Sequence, residues 1–151
     1  MKKFTLTLIL ALLCVVTAGC DKDKVDVDVQ KLGDNLTQKI KFEDQLTQID
    51  EDIAKDIYEI NFEKVKATAF IGSGATSEEL VIFEAESKDK AKQILTLAKK
   101  HIEEQKQDYE SYNPKEIKKL DNAIVIQKDK YVIICVTEDV SVEKIINNSL
   151  K

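Results

Sequence analysis

Residues 65–85 read VKATAFIGSGATSEELVIFEA. Val65, Ala67, Ala69 and Ile71 recur at every second position, Gly72-Ser73-Gly74 interrupts them, and Leu80 to Ala85 resumes an apolar run rich in β-branched residues. A period of two on both sides of a glycine-containing break predicts a β-hairpin. The period then changes. Over 87–109, Ala91, Ile94, Leu95, Ala98, Ile102 and Tyr109 fall on one stripe at three- and four-residue spacing, which predicts a long amphipathic helix.

Working outward, Asn113-Pro114-Lys115-Glu116 offers a capping side chain, a proline at the first helical position and an acid three residues after the cap, and predicts a short helix. Residues 123–126 and 131–137 flank the polar Gln127-Lys128-Asp129-Lys130 and predict a second hairpin, with a closing helix over 141–147. On the N-terminal side, Leu32, Leu36 and Ile40 predict a short helix, and Leu46, Ile49, Ile53 and Ile57 a longer one ending near Ile60. There is no βαβ alternation and no repeat, so the expected class is α+β: a mainly antiparallel sheet of two β-hairpins flanking a long helix packed on one face, with N-terminal helices. Residues 30–151 are expected to form one domain.

The first twenty residues carry an address. Met1-Lys2-Lys3 is cationic and 4–16 contains no charge, as in an export signal. As a helix the apolar stretch would span only about 20 Å against roughly 30 Å of hydrocarbon, too short for a permanent span. Thr17-Ala18-Gly19-Cys20 resembles the lipobox of bacterial lipoprotein precursors, apart from Thr17, where lipoboxes usually carry Leu or Val. That resemblance implies removal of residues 1–19 and a diacylglyceryl group on the Cys20 sulfur; two acyl chains give stable attachment where one is marginal. The expected location is the outer face of a cell membrane. Residues 20–29 alternate charge with Val25 and Val27 and are expected to be a polar tether. Asp21, Asp23, Asp26 and Asp28 lack the glycine and distal glutamate of a calcium loop.

The composition narrows the partners. All 23 basic residues are lysines against 28 acids, and the leader would take Lys2 and Lys3 with it. An acidic chain without the guanidinium fork is a poor ligand for polyanions, so no nucleic acid is expected. Lysine in place of arginine, with abundant Ile and Asn, fits an AT-rich genome and suggests a Gram-positive bacterium. Of three cysteines, Cys14 would leave with the leader and Cys20 would be acylated, leaving Cys135 as a small core hydrophobe.

The stretch from about 53 to 139 resembles the DUF4358 family of bacterial lipoproteins of unknown function. The resemblance rests on Ala75-Thr76-Ser77-Glu78-Glu79-Leu80-Val81-Ile82-Phe83, the helix from Lys88, Tyr112-Asn113-Pro114, Asn122-Ala123-Ile124-Val125-Ile126 and Tyr131-Val132-Ile133. It implies a fold and an address but no substrate.

No catalytic constellation stands out. Ser-x-x-Lys occurs at Ser87 and Ser141 without companion motifs, and both serines stand where helix caps are expected. His101 is the single histidine and is expected at a surface or edge, so no metal and no cofactor are expected. Glu84 and Glu86 share one strand face, expected to be solvated, while Glu78 and Glu79 precede it. Gly72 and Gly74 read as a turn. Tyr109, Tyr112 and Tyr131 are the expected ligand surface, since amphipathic rings suit binding. The expected function is a non-enzymatic binding module for an unidentified protein or small molecule; the alternative is an envelope-acting enzyme without a recognisable motif.

Overall fold

The structure, a computed structural model, describes residues 26–150; the leader, Cys20 and the first part of the tether lie outside them. The elements are α1 (Val29–Lys39), β1 (Thr47–Ile49), α2 (Glu51–Ile57), β2 (Lys66–Ile71), β3 (Glu79–Glu84), α3 (Lys88–Tyr112), a 3₁₀ turn (Pro114–Glu116), α4 (Ile117–Asp121), β4 (Ile124–Lys128), β5 (Tyr131–Val136) and α5 (Val142–Ser149). The class is α+β. All strand pairs are antiparallel, in the order β1-β2-β3-β5-β4. The β2–β3 and β4–β5 pairs are thus joined side by side through β3 and β5.

β3 and β5 are buried at nearly every position because both faces of the sheet are covered. On one face, Val81, Phe83, Val132 and Ile134 pack against Ala91, Ile94, Ala98 and Ile102 of α3. On the other, Leu80, Ile82, Ile133 and Cys135 meet Leu32 and Leu36 of α1 and Ile146 of α5. Each such aliphatic side chain, fully buried, contributes about 1.5–3 kcal/mol. A helix on a single face would have left the Leu80–Ile82 side wet, and α1 and α5 prevent that. The expected solvated face of Glu84 and Glu86 is corrected accordingly: Leu80 and Ile82 lie on Glu84's face, and Glu84 sits at its end, held by Lys130 at 2.6 Å and Lys66 at 3.3 Å.

The N-terminal half departs from its periodicity. Leu46 precedes β1 and Ile49 ends it, so neither belongs to a helix. α2 has seven residues and buries the neighbouring stripe, Ala54 and Tyr58, leaving Ile53 and Ile57 exposed. Helix starts are mixed. Asp28 caps α1 by accepting from the Lys31 amide, and Ser87 caps α3 by accepting from the Lys90 amide. Asn113 and Ser141 do not cap through their side chains. Among the described residues no helix is long and apolar enough to cross a membrane.

The sheet has two distinct ends. One carries Lys66, Glu84, Lys128 and Tyr131, the other Ile71, Glu79, Ile124 and Val136. The chain enters at the first end. There Val27 donates its N–H to the Tyr131 hydroxyl oxygen and accepts from that hydroxyl at its carbonyl, both at 3.1 Å.

Gly33 is where α1 comes closest to β2: a Cβ there would stand 2.8 Å from both Phe70 Cε2 and Thr68 Cγ2. Gly33→Val is expected to destabilise the domain by about 1–3 kcal/mol through overpacking, despite its gain in helix propensity. Urea unfolding checks this; an unchanged midpoint would show that the interface yields freely.

Candidate functional site

The second end of the sheet gathers the buried charges of the described residues under the β2–β3 loop, residues 72–78. Gly74 takes φ 86°, a backbone region closed to most side chains, and turns the loop over. The loop is tied from both flanks. On one, Asp44 Oδ2 accepts from the Ser73 amide (2.8 Å), the Ser73 hydroxyl (2.7 Å) and the Thr76 hydroxyl (3.1 Å). The Ser73 hydroxyl foremost, with these other donors, brings the Asp44 carboxyl down from 3.8 to about 2. On the other, the Tyr109 hydroxyl donates to the Thr76 carbonyl (2.6 Å) and the Gly74 carbonyl (3.1 Å), and the Asn113 amide donates to the Ala75 carbonyl (3.2 Å).

Beneath the loop lie acids with almost no solvent contact. Glu116 Oε2 accepts from the Ser77 amide (2.8 Å) and hydroxyl (3.0 Å), and Glu78 Oε2 accepts from the amides of Glu43 (2.7 Å) and Asp44 (2.8 Å). Between them Lys119, its side chain 2% exposed, places Nζ 2.7 Å from Glu43, 3.3 Å from Glu116 and 3.6 Å from Glu78. Burial alone would lower this amine, but the hydrogen bond to Glu43 and the charges of Glu78 and Glu116 outweigh it and hold it above the ordinary lysine value. Glu79, next in the chain, points to the α3 face. Its Oε1 accepts from the Tyr58 hydroxyl at 3.0 Å and lies 3.8 Å from His101 Nε2, while the Tyr58 and His101 rings stand 4.3 Å apart. Burial, then the adjacent Glu79 charge, keeps the Tyr58 phenol protonated as the donor. His101 Nε2 and Gln105 Oε1, one turn apart on α3, are buried without a hydrogen-bond partner, as is Glu78 Oε1 in the network around Lys119.

The expected three-tyrosine surface does not assemble. Tyr109 holds the loop, Tyr112 stands 71% exposed with its ring edge-on to Tyr109, and Tyr131 is fully buried on the other face of the sheet, at its other end. Tyr131 is spent on Val27 because a strand covered on both faces leaves its ring no route to solvent. His101 is not on the open surface: its side chain is only 15% exposed. Cys135 is a core residue whose thiol is pushed well up by burial, and Cys20 lies outside the described residues. The arrangement of Asp44, Glu78, Glu116 and Lys119 was not foreseen: Glu116 has the spacing of a capping acid but turns inward to Ser77 instead.

An open groove of about 340 Å³ is walled by Lys119 itself with Lys118, Asn122, Thr137, Asp139 and Val142; the buried glutamates are not among its walls. Among the described residues no cluster of His, Cys, Asp and Glu is arranged to hold a metal ion.

A family model described as Domain of unknown function (DUF4358) matches residues 38–137, more than half of the chain, and takes in the whole network from Glu43 to Lys119. No curated protein and no solved structure matches the chain.

Two outcomes follow from the network. Lys119→Met strands the Glu78 and Glu116 carboxylates without their cation and is expected to cost about 3–5 kcal/mol in urea unfolding, partly recovered when Glu78→Gln and Glu116→Gln are added. The lowered Asp44 carboxyl stabilises the loop in full above its unfolded value of 3.8, and that contribution is lost as pH falls toward about 2. Protection of the Ser73 amide, taken relative to its intrinsic exchange rate at each pH, should therefore fall in acid across this window, and Asp44→Asn should remove that fall.

Proposed function

The chain belongs to the DUF4358 family, and we propose that it is a lipoprotein held on the outer face of a bacterial cell membrane through Cys20, its domain serving as a non-enzymatic module that binds a protein partner or small ligand. The observation that carries this reading is the pinned 72–78 loop. Its amides, hydroxyls and carbonyls are taken up by Asp44, Glu116, Tyr109 and Asn113, so the surface it presents has one shape before any partner arrives. A preorganised surface binds with less ordering cost. Tyr112, exposed beside Tyr109, supplies the amphipathic ring such surfaces use. The charged groups beneath are bonded largely to one another and to backbone amides, although Glu78 Oε1 is buried without a hydrogen bond, 3.6 Å from Lys119 Nζ.

The second reading is an envelope-acting enzyme, and one observation favours it: His101 Nε2 has no hydrogen-bond partner while standing 3.8 Å from Glu79. That pair lies under Tyr58, with Glu79 only 1% exposed.

Two measurements separate these readings. Cys20→Ala should abolish incorporation of labelled palmitate and leave the leader attached; undiminished labelling would overturn the anchor. A photo-crosslinker at Tyr112 should trap one specific partner in cells, in the parent and in His101→Ala alike, and lose it in Asp44→Ala. Capture that disappears only in His101→Ala would favour the enzyme.

A further inference from the structure

We propose that the domain stands on the membrane with the Tyr131 end of its sheet toward the bilayer and the 72–78 loop at its far end, pointing away. This deepens the preceding reading and rests on lipid attachment at Cys20. Five residues lie between Cys20 and Asp26, so the connection, six residue-to-residue steps, reaches at most about 20 Å. Where that connection ends is fixed: Val27 is bonded twice to the buried Tyr131 hydroxyl, and Lys130 reaches both Glu84 (2.6 Å) and Asp26 (3.9 Å).

α3 measures the distance to the other end. It begins on the tethered side, where the Gln127 amide donates to the Lys88 carbonyl, and finishes at Asn113, whose amide donates to Ala75 in the loop. Twenty-five helical residues rise about 37 Å. An inverted domain would put its tethered end that far above the bilayer, nearly twice the reach of the connection. Of the lysines at the tethered end, Lys64, Lys66 and Lys130 are paired with Glu86 and Glu84. The chain's net charge of −5 opposes laying its flank on an anionic leaflet. The bilayer is therefore the neighbour of the Tyr131 end, and the network around Lys119 faces what lies beyond the membrane.

Cys135 is buried, so a single introduced thiol can be labelled selectively. The full-length lipidated protein, carrying Lys88→Cys or Val140→Cys with a fluorophore, is reconstituted into phosphatidylcholine vesicles containing a headgroup nitroxide lipid. Lys88 marks the tethered end, and Val140, fully exposed, follows β5 at the other. The probe at 88 should lose emission and the probe at 140 should keep it. Equal quenching, or the reverse order, overturns the orientation while leaving the anchor standing. Protein that fails to co-sediment with vesicles overturns both.

Discussion

The sheet has no wet face at its centre, and most of the molecule follows from that. β3 and β5 lie side by side with apolar residues on both surfaces, so two helical layers are obligatory rather than one. α3 supplies one; α1 and α5 together supply the other. The same constraint reaches the polar groups. A glutamate opening β3 cannot turn to solvent when both sides are covered, and Glu79 accordingly takes the Tyr58 hydroxyl and the neighbourhood of His101.

The charge cluster answers the problem that this burial creates. Carboxylates removed from water must be compensated by a cation, by N–H and O–H donors, or by both. Here one amine serves Glu43, Glu78 and Glu116, and amides of 43, 44 and 77 bond Glu78 Oε2 and Glu116 Oε2, while Glu78 Oε1 has the amine at 3.6 Å and no hydrogen bond. All of these except the local Lys119–Glu116 pair join segments distant in sequence: residues 43–44, 72–78 and 116–119 form one unit. The family match over 38–137 contains all three segments.

Hairpins and the long helix were legible because each depends on short-range periodicity sustained over enough residues. β1 was not, since three residues are too few to declare a period, and Ile49 happened to lie at helical spacing from Ile53 and Ile57. The polar site was largely illegible. Asn113 and Glu116 have the spacing of a cap, and only tertiary contacts send one to Ala75 and the other to Ser77. Lys119 looked like any other lysine of a lysine-rich chain; its burial arises from the meeting of α4 with the loop before β1, which no local pattern encodes. Tyr131 was misplaced for the opposite reason, a ring suited to surfaces being used inside.

The strand order also sets a schedule. β5, last of the five in the chain, is inserted between β3 and β4. A polypeptide that emerges N-terminus first can pair β2 with β3 early, but the inner edge of β3 stays open until residues 131–136 have appeared. α1 and α3 have no complete surface to settle on before then. Closure is thus postponed to the final sixth of the chain, and during that interval the molecule exposes an unpaired apolar strand edge, the kind of surface that holdase chaperones recognise and that misassembly exploits.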